Sequence, residues 1–176
     1  GRYSEPLAVQ FAELVGAQAG HRALDVGCGP GALTAQLVER LGAEAVSAID
    51  PSASFVAAVR ARFPQVDVRF GAAEALPFPD HFFDVALAQL VVHFMTDAVS
   101  GLSEMARVTR PGGLVAASVW DHAGDRSPLS TFWRAVRDTD SGAHDEAGLA
   151  GAREGHLADL GAAAGWTHIE PTTLTV

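Results

Sequence analysis

The sequence contains no lysine, because all 12 of its basic residues are arginine. A Schiff-base mechanism and a phosphate-binding loop built around a lysine are therefore both excluded. The single cysteine, Cys28, cannot form an intramolecular disulfide, and no paired thiols suggest a zinc site, so we expect no bound metal. No apolar run approaches the ~20 residues of a membrane span, and no signal segment opens the chain. These absences predict a soluble, cytoplasmic protein that does not contact a membrane.

Positive charge is also scarce, since 21 acidic residues outnumber the 12 basic ones and give a net charge of −9. A nucleic acid or an anionic membrane surface needs a basic partner, so both are disfavoured. With 176 residues, 48% of them hydrophobic, the chain suits one globular domain over residues 1–176. We therefore expect neither a nucleic acid nor a membrane to be its main partner.

Short apolar runs alternate with helical stripes along most of the chain. We predict strands at 23–26, 45–49, 66–70, 82–87 and 114–120, and a last strand at 167–176. Apolar residues at helical spacing predict helices between these strands, the first of them capped by Ser4. Strands that alternate with helices imply βαβ units, a parallel sheet and right-handed crossovers. The expected fold class is therefore α/β.

The alternation breaks down at 121–153, which we interpret as an irregular lid or substrate segment. Phe132, Trp133 and Val136 predict one short helix within it. Residues 138–148 are polar and contain glycine, which predicts a mobile loop.

A glycine-rich loop follows the first predicted strand and precedes a predicted helix. It contains Gly27, Cys28, Gly29 and Gly31. Glycine at such a point lets the backbone turn tightly and approach a ligand closely. The spacing Gly27-x-Gly29-x-x-Ala32 also fits the dinucleotide-binding pattern, and a plain tight connection between strand and helix explains it as well. The loop alone leaves these interpretations open.

Asp50 narrows the choice of ligand. It lies 23 residues after Gly27, at the end of the second predicted strand. A carboxylate at that place accepts hydrogen bonds from both ribose hydroxyls, in nicotinamide cofactors and in S-adenosylmethionine alike. The alternative is that Asp50 caps the helix that follows Pro51, and the two roles are compatible.

Asp25 favours S-adenosylmethionine over a dinucleotide. It lies in an otherwise apolar strand, two residues before Gly27. A buried carboxylate is costly unless it accepts hydrogen bonds or meets a positive group. The ammonium and sulfonium groups of S-adenosylmethionine supply such charge, whereas a pyrophosphate would be repelled. The alternative is that amides of the loop satisfy Asp25.

Several segments together resemble the class I S-adenosylmethionine-dependent methyltransferases, in particular the small-molecule group that includes the ubiquinone and menaquinone C-methyltransferases. Residues 24–31, Leu-Asp-Val-Gly-Cys-Gly-Pro-Gly, are similar to motif I of that class. Residues 71–80 and 83–85 are similar to a stretch typical of the group, and 104–113 resemble its helix and turn before the fifth strand. The segments occur in the right order and spacing from about residue 2 to residue 176.

The resemblance implies a three-layer Rossmann-like sandwich with a mostly parallel sheet in the order 3-2-1-4-5-7-6, from which strand 7 is missing here. It places Arg2 and Tyr3 near the cofactor carboxylate, and Gln89 and Leu90 where the family passes its chain over the cofactor. The complete expected binding set for S-adenosylmethionine is Arg2, Tyr3, Asp25, Gly27, Cys28, Gly29, Gly31, Asp50, Pro51, Ala72, Ala73, Glu74, Gln89 and Leu90.

This chain departs from the family pattern in two ways. Family members commonly have Asp where this chain has Ala72, and that Asp usually binds the adenine amino group. Adenine recognition here would then rest on backbone groups near Ala72 and Ala73, or on Glu74. The chain also stops in the predicted sixth strand, so we expect it to lack the C-terminal portion of the family.

The acceptor site is expected at the carboxyl ends of the strands, where parallel sheets bind their ligands. His93 and Trp120 are candidates by that topology. Asp121 and His122 follow the fifth predicted strand, and an Asp-His pair can deprotonate an acceptor. For His93 the alternative is a partly buried histidine without a catalytic role.

The resemblance therefore implies transfer of a methyl group from S-adenosylmethionine to a small-molecule acceptor by in-line displacement. The alternative function is that of a non-catalytic S-adenosylmethionine-binding or interaction protein. Two features favour that alternative: Ala72 stands where the family commonly has Asp, and the chain stops in the predicted sixth strand.

Overall fold

The computed structural model describes residues 2–139 and 146–176. Its helices and strands run in the order α1 (Ser4–Leu14), β1 (Ala23–Val26), α2 (Ala32–Leu41), β2 (Val46–Asp50), α3 (Ala53–Arg62), β3 (Asp67–Phe70), β4 (Phe83–Gln89), α4 (Ala98–Val108), β5 (Thr109–Ser118), α5 (Ser130–Thr139) and α6 (His156–Ala163). Short 3-10 helices lie at Ala43–Ala45, Ala73–Ala75, Val92–Phe94 and Glu146–Gly148.

The strands form a parallel sheet in the order β3-β2-β1-β4-β5, as the sequence predicted for the first five strands. The chain moves outward from β1 through β2 to β3, then returns to the other side of β1 with β4. The strand order thus reverses between β1 and β4. In open parallel sheets the ligand crevice lies outside the carboxyl ends of the strands at this reversal.

Helices cover both faces of the sheet and complete the three layers. One core packs side chains of α1, α2 and α3, including Phe11, Leu37 and Val59, against the sheet. The other packs α4, through Leu102 and Met105, against the opposite face. Every residue of β1 and β2 is buried, because their side chains alternate between two covered faces.

The predicted turn at 110–113 forms an irregularity within β5. Thr109 pairs with Phe83, and the next pair joins Leu114 to Val85, so the four residues between them oppose Asp84 alone. Regular pairing therefore begins at Leu114, where the sequence placed the start of the strand.

The predicted last strand is wrong, because residues 167–176 form no strand. The backbone of His168 is left-handed, with φ of 53°, and Pro171 has no N–H to donate to a ladder. The segment is largely exposed, and the Gln10 side-chain amide holds its far end by donating to the Thr175 carbonyl at 2.9 Å.

The segment 121–153 contains more helix than expected. The predicted short helix is confirmed as α5, but it continues to Thr139, and the 3-10 helix at Glu146–Gly148 lies within the predicted loop 138–148. The end of α5 and this 3-10 helix were both missed because the apolar residues there show only weak helical periodicity. Residues 140–145 of the predicted loop lie outside the described residues.

Within residues 2–139 and 146–176, no helix is both long and apolar enough to cross a membrane. The same part of the chain has no group of three or more His, Cys, Asp or Glu side chains arranged to hold a metal ion.

Candidate functional site

The glycine loop between β1 and α2 is tied to the end of β2. The amides of Gly27 and Cys28 both donate to the carbonyl of Ile49, at 2.8 and 3.1 Å. A Cβ atom at Gly27 would lie 2.2 Å from Cγ2 of Val91, in the segment that follows β4. Only glycine fits at this contact, so the loop and that segment are packed directly on one another.

Gly29 is a half-buried residue at the turn of the loop. Its φ is +52°, and a Cβ atom built there would meet nothing within 4 Å. The space that a side chain would fill is therefore available to a ligand. Gly31, by contrast, is the N-cap of α2, and a Cβ there would press on Val59 at 3.2 Å.

Cys28 is buried beneath the loop. Burial, together with the negative charges of Asp25 and Asp50, raises the pKa of its thiol well above the ordinary range. The thiolate is therefore disfavoured, which argues against nucleophilic chemistry at Cys28. Cys28 acts as a small packing residue.

Asp50 joins the loop to the end of β2 through both carboxylate oxygens. Oδ2 accepts from the Gly29 amide and Oδ1 from the Ser52 amide, each at 2.8 Å. A carboxylate offers about four acceptor positions, so capacity remains for two further donors. The expectation that Asp50 caps α3 is wrong, because Ser52 is the N-cap and accepts from Phe55 at 3.5 Å. Pro51 is exposed between them.

Asp25 lies under the loop and is only 1% exposed. Its Oδ2 accepts from the hydroxyl of Thr34, in the first turn of α2, at 2.6 Å. Burial raises the pKa of the Asp25 carboxyl to about 7, and the nearby charge of Asp50 contributes in the same direction. Thr34 is a partner that the sequence did not indicate, and contact between Asp25 and a cofactor remains a prediction.

The raised pKa of Asp25 predicts a pH-dependent stability. Between about pH 4 and pH 7 the folded protein holds a proton on Asp25 that the unfolded chain releases, so the unfolding free energy falls as pH rises. The slope contributed is at most about 1.4 kcal/mol per pH unit. Denaturant unfolding of the wild type and of Asp25→Asn from pH 5 to 7 measures it, because the variant lacks the titration.

A second variant tests the cause of that slope. Thr34→Val removes a hydrogen bond that lowers the Asp25 pKa, so its downward slope should extend to higher pH than in the wild type. Equal slopes in the wild type and Asp25→Asn would show that Asp25 titrates normally in the folded protein.

The segment after β3 borders the same edge of the sheet. The amide of Gly71 donates to the Asp50 carbonyl at 3.1 Å, and Ala72 follows it in extended, exposed backbone. Ala73 is buried. The expected adenine role of Glu74 is disfavoured, because its Oε1 accepts from the amides of Thr96 and Asp97 before α4, at 2.7 and 3.2 Å.

An ion-pair network holds the rest of this segment in place. Arg107 of α4 donates to the Leu76 and Phe78 carbonyls at 2.9 and 3.0 Å, and pairs with Glu104 and Asp80. Glu104 in turn accepts from the Leu76 amide at 2.9 Å. The two motifs at 71–80 and 104–113 therefore contact each other, and the contacts hold the part of the segment that follows Ala72.

Ala72→Asp is expected to tighten binding of S-adenosylhomocysteine several-fold. A carboxylate at this exposed position would accept from the exocyclic amine of adenine, a charged hydrogen bond of about 1.5–3 kcal/mol before desolvation. Calorimetric titration measures the change. Ala72→Ser is the control, because it also caps the 3-10 helix but is too short to reach the base. Unchanged affinity in Ala72→Asp would show that Ala72 does not face adenine.

The start of α1 is held over the ends of β4 and β5. Gln89, the last residue of β4, donates to the Ser4 carbonyl at 2.9 Å. Leu90 has a left-handed backbone with φ of 59°, and its amide donates to the Ser118 carbonyl at 2.8 Å. The ring of Tyr3 packs edge-to-face on Trp120, with centroids 6.1 Å apart.

Arg2 lies at the outer side of α2. Its guanidinium stacks on the Tyr3 ring, with its central carbon 5.7 Å from the centroid. It also lines a cavity of about 380 Å³ together with Glu5, Ala32 and Arg62. Ala32 begins α2 directly after the glycine loop, so Arg2 and Tyr3 lie beside the loop, and their contact with a cofactor remains a prediction.

Of the expected acceptor-site residues, His93 and His122 come together in the structure, whereas Asp121 does not join them. The rings of His93 and His122 lie 6.0 Å apart, centroid to centroid. Asp121 instead accepts from the Gly124 amide at 2.8 Å and pairs with Arg126 at 2.9 Å, which closes a turn. The expected Asp121–His122 pair is therefore corrected: Glu146 supplies the carboxylate, 3.3 Å from Nδ1 of His122.

A family model described as "Methyltransferase domain" matches residues 24–117, which hold the loop, Asp50 and both motif segments. This chain belongs to that methyltransferase family. S-adenosylmethionine is the cofactor of the family, and the resemblance found in the sequence is thereby confirmed.

Curated methyltransferases are similar to part of this chain. An uncharacterised methyltransferase of Mycobacterium tuberculosis is 39% identical over 108 residues, which cover 61% of this chain and 43% of the relative. Demethylmenaquinone methyltransferase of Beutenbergia cavernae is 41% identical over 101 residues, covering 57% and 41%. The chain thus spans less than half the length of these curated relatives.

A solved structure supports the fold. A methyltransferase from Thermotoga maritima, described as a possible histamine N-methyltransferase, superposes with a TM-score of 0.71 at 23% identity. The superposition covers 95% of this chain and 73% of the other. At this identity the likeness concerns the fold alone, and it agrees with the three-layer architecture expected from the sequence.

Proposed function

We propose that this chain transfers a methyl group from S-adenosylmethionine to a small-molecule acceptor. The carboxylate of Asp50, bonded to the Gly29 amide beside open space, carries the proposal. The residues fit the cofactor, because Asp50 keeps acceptor capacity for the two ribose hydroxyls and Gly29 leaves room for close approach. Ala72 borders the same edge and would face the adenine.

The fold sets the orientation in which the cofactor would lie. With the ribose at Asp50, beyond the end of β2, the crevice at the β1–β4 reversal receives the sulfonium end. The sulfonium is a good leaving group, so this chain mainly has to hold the acceptor in line with the methyl. Such orientation can contribute roughly 7–11 kcal/mol to lowering the barrier.

The alternative functions differ in what they predict. A nicotinamide cofactor would bring its pyrophosphate to the glycine loop above Asp25, and the charged form of that buried carboxyl would repel it. A non-catalytic binding protein would bind S-adenosylmethionine without transferring the methyl, and no observation favours it. The cytoplasmic location expected from the sequence stays a prediction.

The transfer is tested with methyl-labelled S-adenosylmethionine and fractionated small-molecule metabolites. We expect label to appear in one fraction with the wild-type chain and to be strongly reduced with Asp50→Ala. Tight binding of the cofactor without label in any fraction would contradict transfer and favour the binding protein.

A further inference from the structure

His93 lies beside the loop that the proposed cofactor would occupy. It belongs to the 3-10 helix Val92–Phe94, two residues after Val91, whose side chain packs on Gly27. This segment follows β4, and β4 borders β1 at the strand reversal. His93 therefore belongs to a segment that borders the crevice at the strand reversal, where the proposal places the methyl group.

A second histidine and a carboxylate lie behind His93. His122, which follows β5, is 8% exposed, and its Nδ1 lies 3.3 Å from Oε2 of Glu146. The indole N–H of Trp133 donates to that same oxygen at 2.9 Å, which fixes the carboxylate. Elements distant in sequence thus converge on one cluster, which comprises His93, His122, Glu146 and Trp133.

The cluster holds polar atoms without partners. Within the described residues, Nδ1 of His93 is buried and makes no hydrogen bond. Nδ1 of His122 has only the Glu146 contact, whose geometry falls short of a hydrogen bond. Exposed aromatic rings flank the cluster: Phe94 stacks on His93 at 4.1 Å, and Phe132 packs on Trp133 at 5.0 Å. Unpartnered imidazole between apolar rings suits a ligand that has an apolar body and one polar hydrogen.

We propose that His93 is the base that takes a proton from the methyl acceptor, and that His122 and Glu146 are its positioning residues. This inference rests on the proposed methyl transfer and adds that the acceptor carries an ionisable O–H or N–H on an apolar body. Nothing in the family match assigns these three residues such a role.

The step balances without a further reactant. The acceptor oxygen or nitrogen forms a bond to the methyl carbon as the carbon–sulfur bond breaks. The electron pair of that bond stays on sulfur, which becomes a neutral thioether. The acceptor proton moves to the imidazole of His93 and later to solvent.

The electrostatics of the cluster suit this task. Burial, and then the positive charge that His122 can carry, lower the pKa of His93, while Glu146 acts in the opposite direction. His122 and Glu146 are the titratable groups that act on His93 within the described residues. His93 is therefore neutral at pH 7 and able to accept a hydrogen bond or a proton.

Phenol is the probe for this site, because it carries one hydroxyl on an apolar ring and stays neutral below its pKa of about 10. NMR titration of the full chain, saturated with S-adenosylhomocysteine, measures phenol affinity from pH 4.5 to 8. In the wild type we expect saturable binding that weakens about tenfold per unit below the pKa of His93, as imidazolium loses its acceptor. His93→Asn should bind phenol weakly at every pH.

Matched variants distinguish a positioning role of His122 and Glu146 from a purely structural one. His168→Asn makes the same change at an exposed histidine outside the cluster and should behave as the wild type. His122→Asn should move the pH transition upward, and Glu146→Gln should move it downward. Phenol binding that is absent, independent of pH, or equal in His93→Asn would overturn the proposal. S-adenosylhomocysteine affinity, measured in the same samples, reports separately on folding and on the proposed function.

Discussion

Gly29→Val is expected to abolish binding of S-adenosylhomocysteine while the chain stays folded. A valine side chain would enter the open space above the loop, where a Cβ at Gly29 meets no protein atom within 4 Å. The fold therefore tolerates the added atoms, and the ligand does not. Left-handed backbone at φ of +52° adds a stability cost of about 1–2 kcal/mol, which thermal unfolding measures.

Gly16→Val is the matched control for that strain. Gly16 has φ of +62°, also faces open space and lies at the end of α1, away from the glycine loop. Both variants should lose similar stability, and only Gly29→Val should lose binding. Normal affinity in a folded Gly29→Val protein would show that this glycine serves the turn alone.

Asp50→Ala is expected to weaken binding of S-adenosylhomocysteine by about 100-fold or more. Two ribose hydroxyls would lose a charged acceptor, at about 1.5–3 kcal/mol each. The substitution also releases the amides of Gly29 and Ser52, so the loop loses its attachment to the end of β2. Calorimetric titration gives the affinity, and thermal unfolding gives the accompanying loss of stability.

Asp67→Ala is the control for the loss of an acid near the edge of the sheet. Asp67 begins β3, at the end of the sheet opposite the glycine loop, and pairs with Arg69 at 2.8 Å, so cofactor affinity should not change. Asp50→Asn should lie between alanine and wild type, because its amide oxygen still accepts one hydrogen bond. A dissociation constant in Asp50→Ala equal to that of the wild type would remove the ribose role.

Strand burial leaves a local signal in the sequence, whereas the strand order was implied by the resemblance to the methyltransferase family. The runs at 23–26 and 82–87 are largely apolar because most of their residues are covered on both faces of the sheet, and β1 has the predicted bounds 23–26. The segment 167–176 failed because apolar content alone does not supply a neighbouring strand, and His168 and Pro171 interrupt an extended ladder.

The glycine loop, Asp25 and Asp50 were also predicted from their spacing in the sequence, whereas the side chains that they contact were not. Asp50 is separated from Gly27 by an interval that the crossover between two adjacent strands requires, so topology brings them together. The sequence did not indicate Thr34, a polar residue among the buried residues Leu33 and Leu37 of α2. Its contact with Asp25 depends on how α2 packs, which periodicity does not show.

Nothing in the sequence indicated that Glu146 would lie beside His122. It lies in a 3-10 helix within a polar segment, and its contacts with His122 and Trp133 join residues 24 and 13 positions away. Asp121, adjacent to His122, was the expected partner for that reason alone. Asp121 instead binds Gly124 and Arg126 in the turn that follows it. Glu146 is therefore the carboxylate beside His122.

The central claim is that the glycine loop at Gly29 and the carboxylate of Asp50, which are joined by a hydrogen bond, bind S-adenosylmethionine. Calorimetric titration of the chain with S-adenosylhomocysteine, and in parallel with NADH, tests it most directly. We predict saturable binding of one S-adenosylhomocysteine per chain and no heat of binding with NADH. Saturable binding of NADH, or a folded chain that binds neither molecule, would contradict the account.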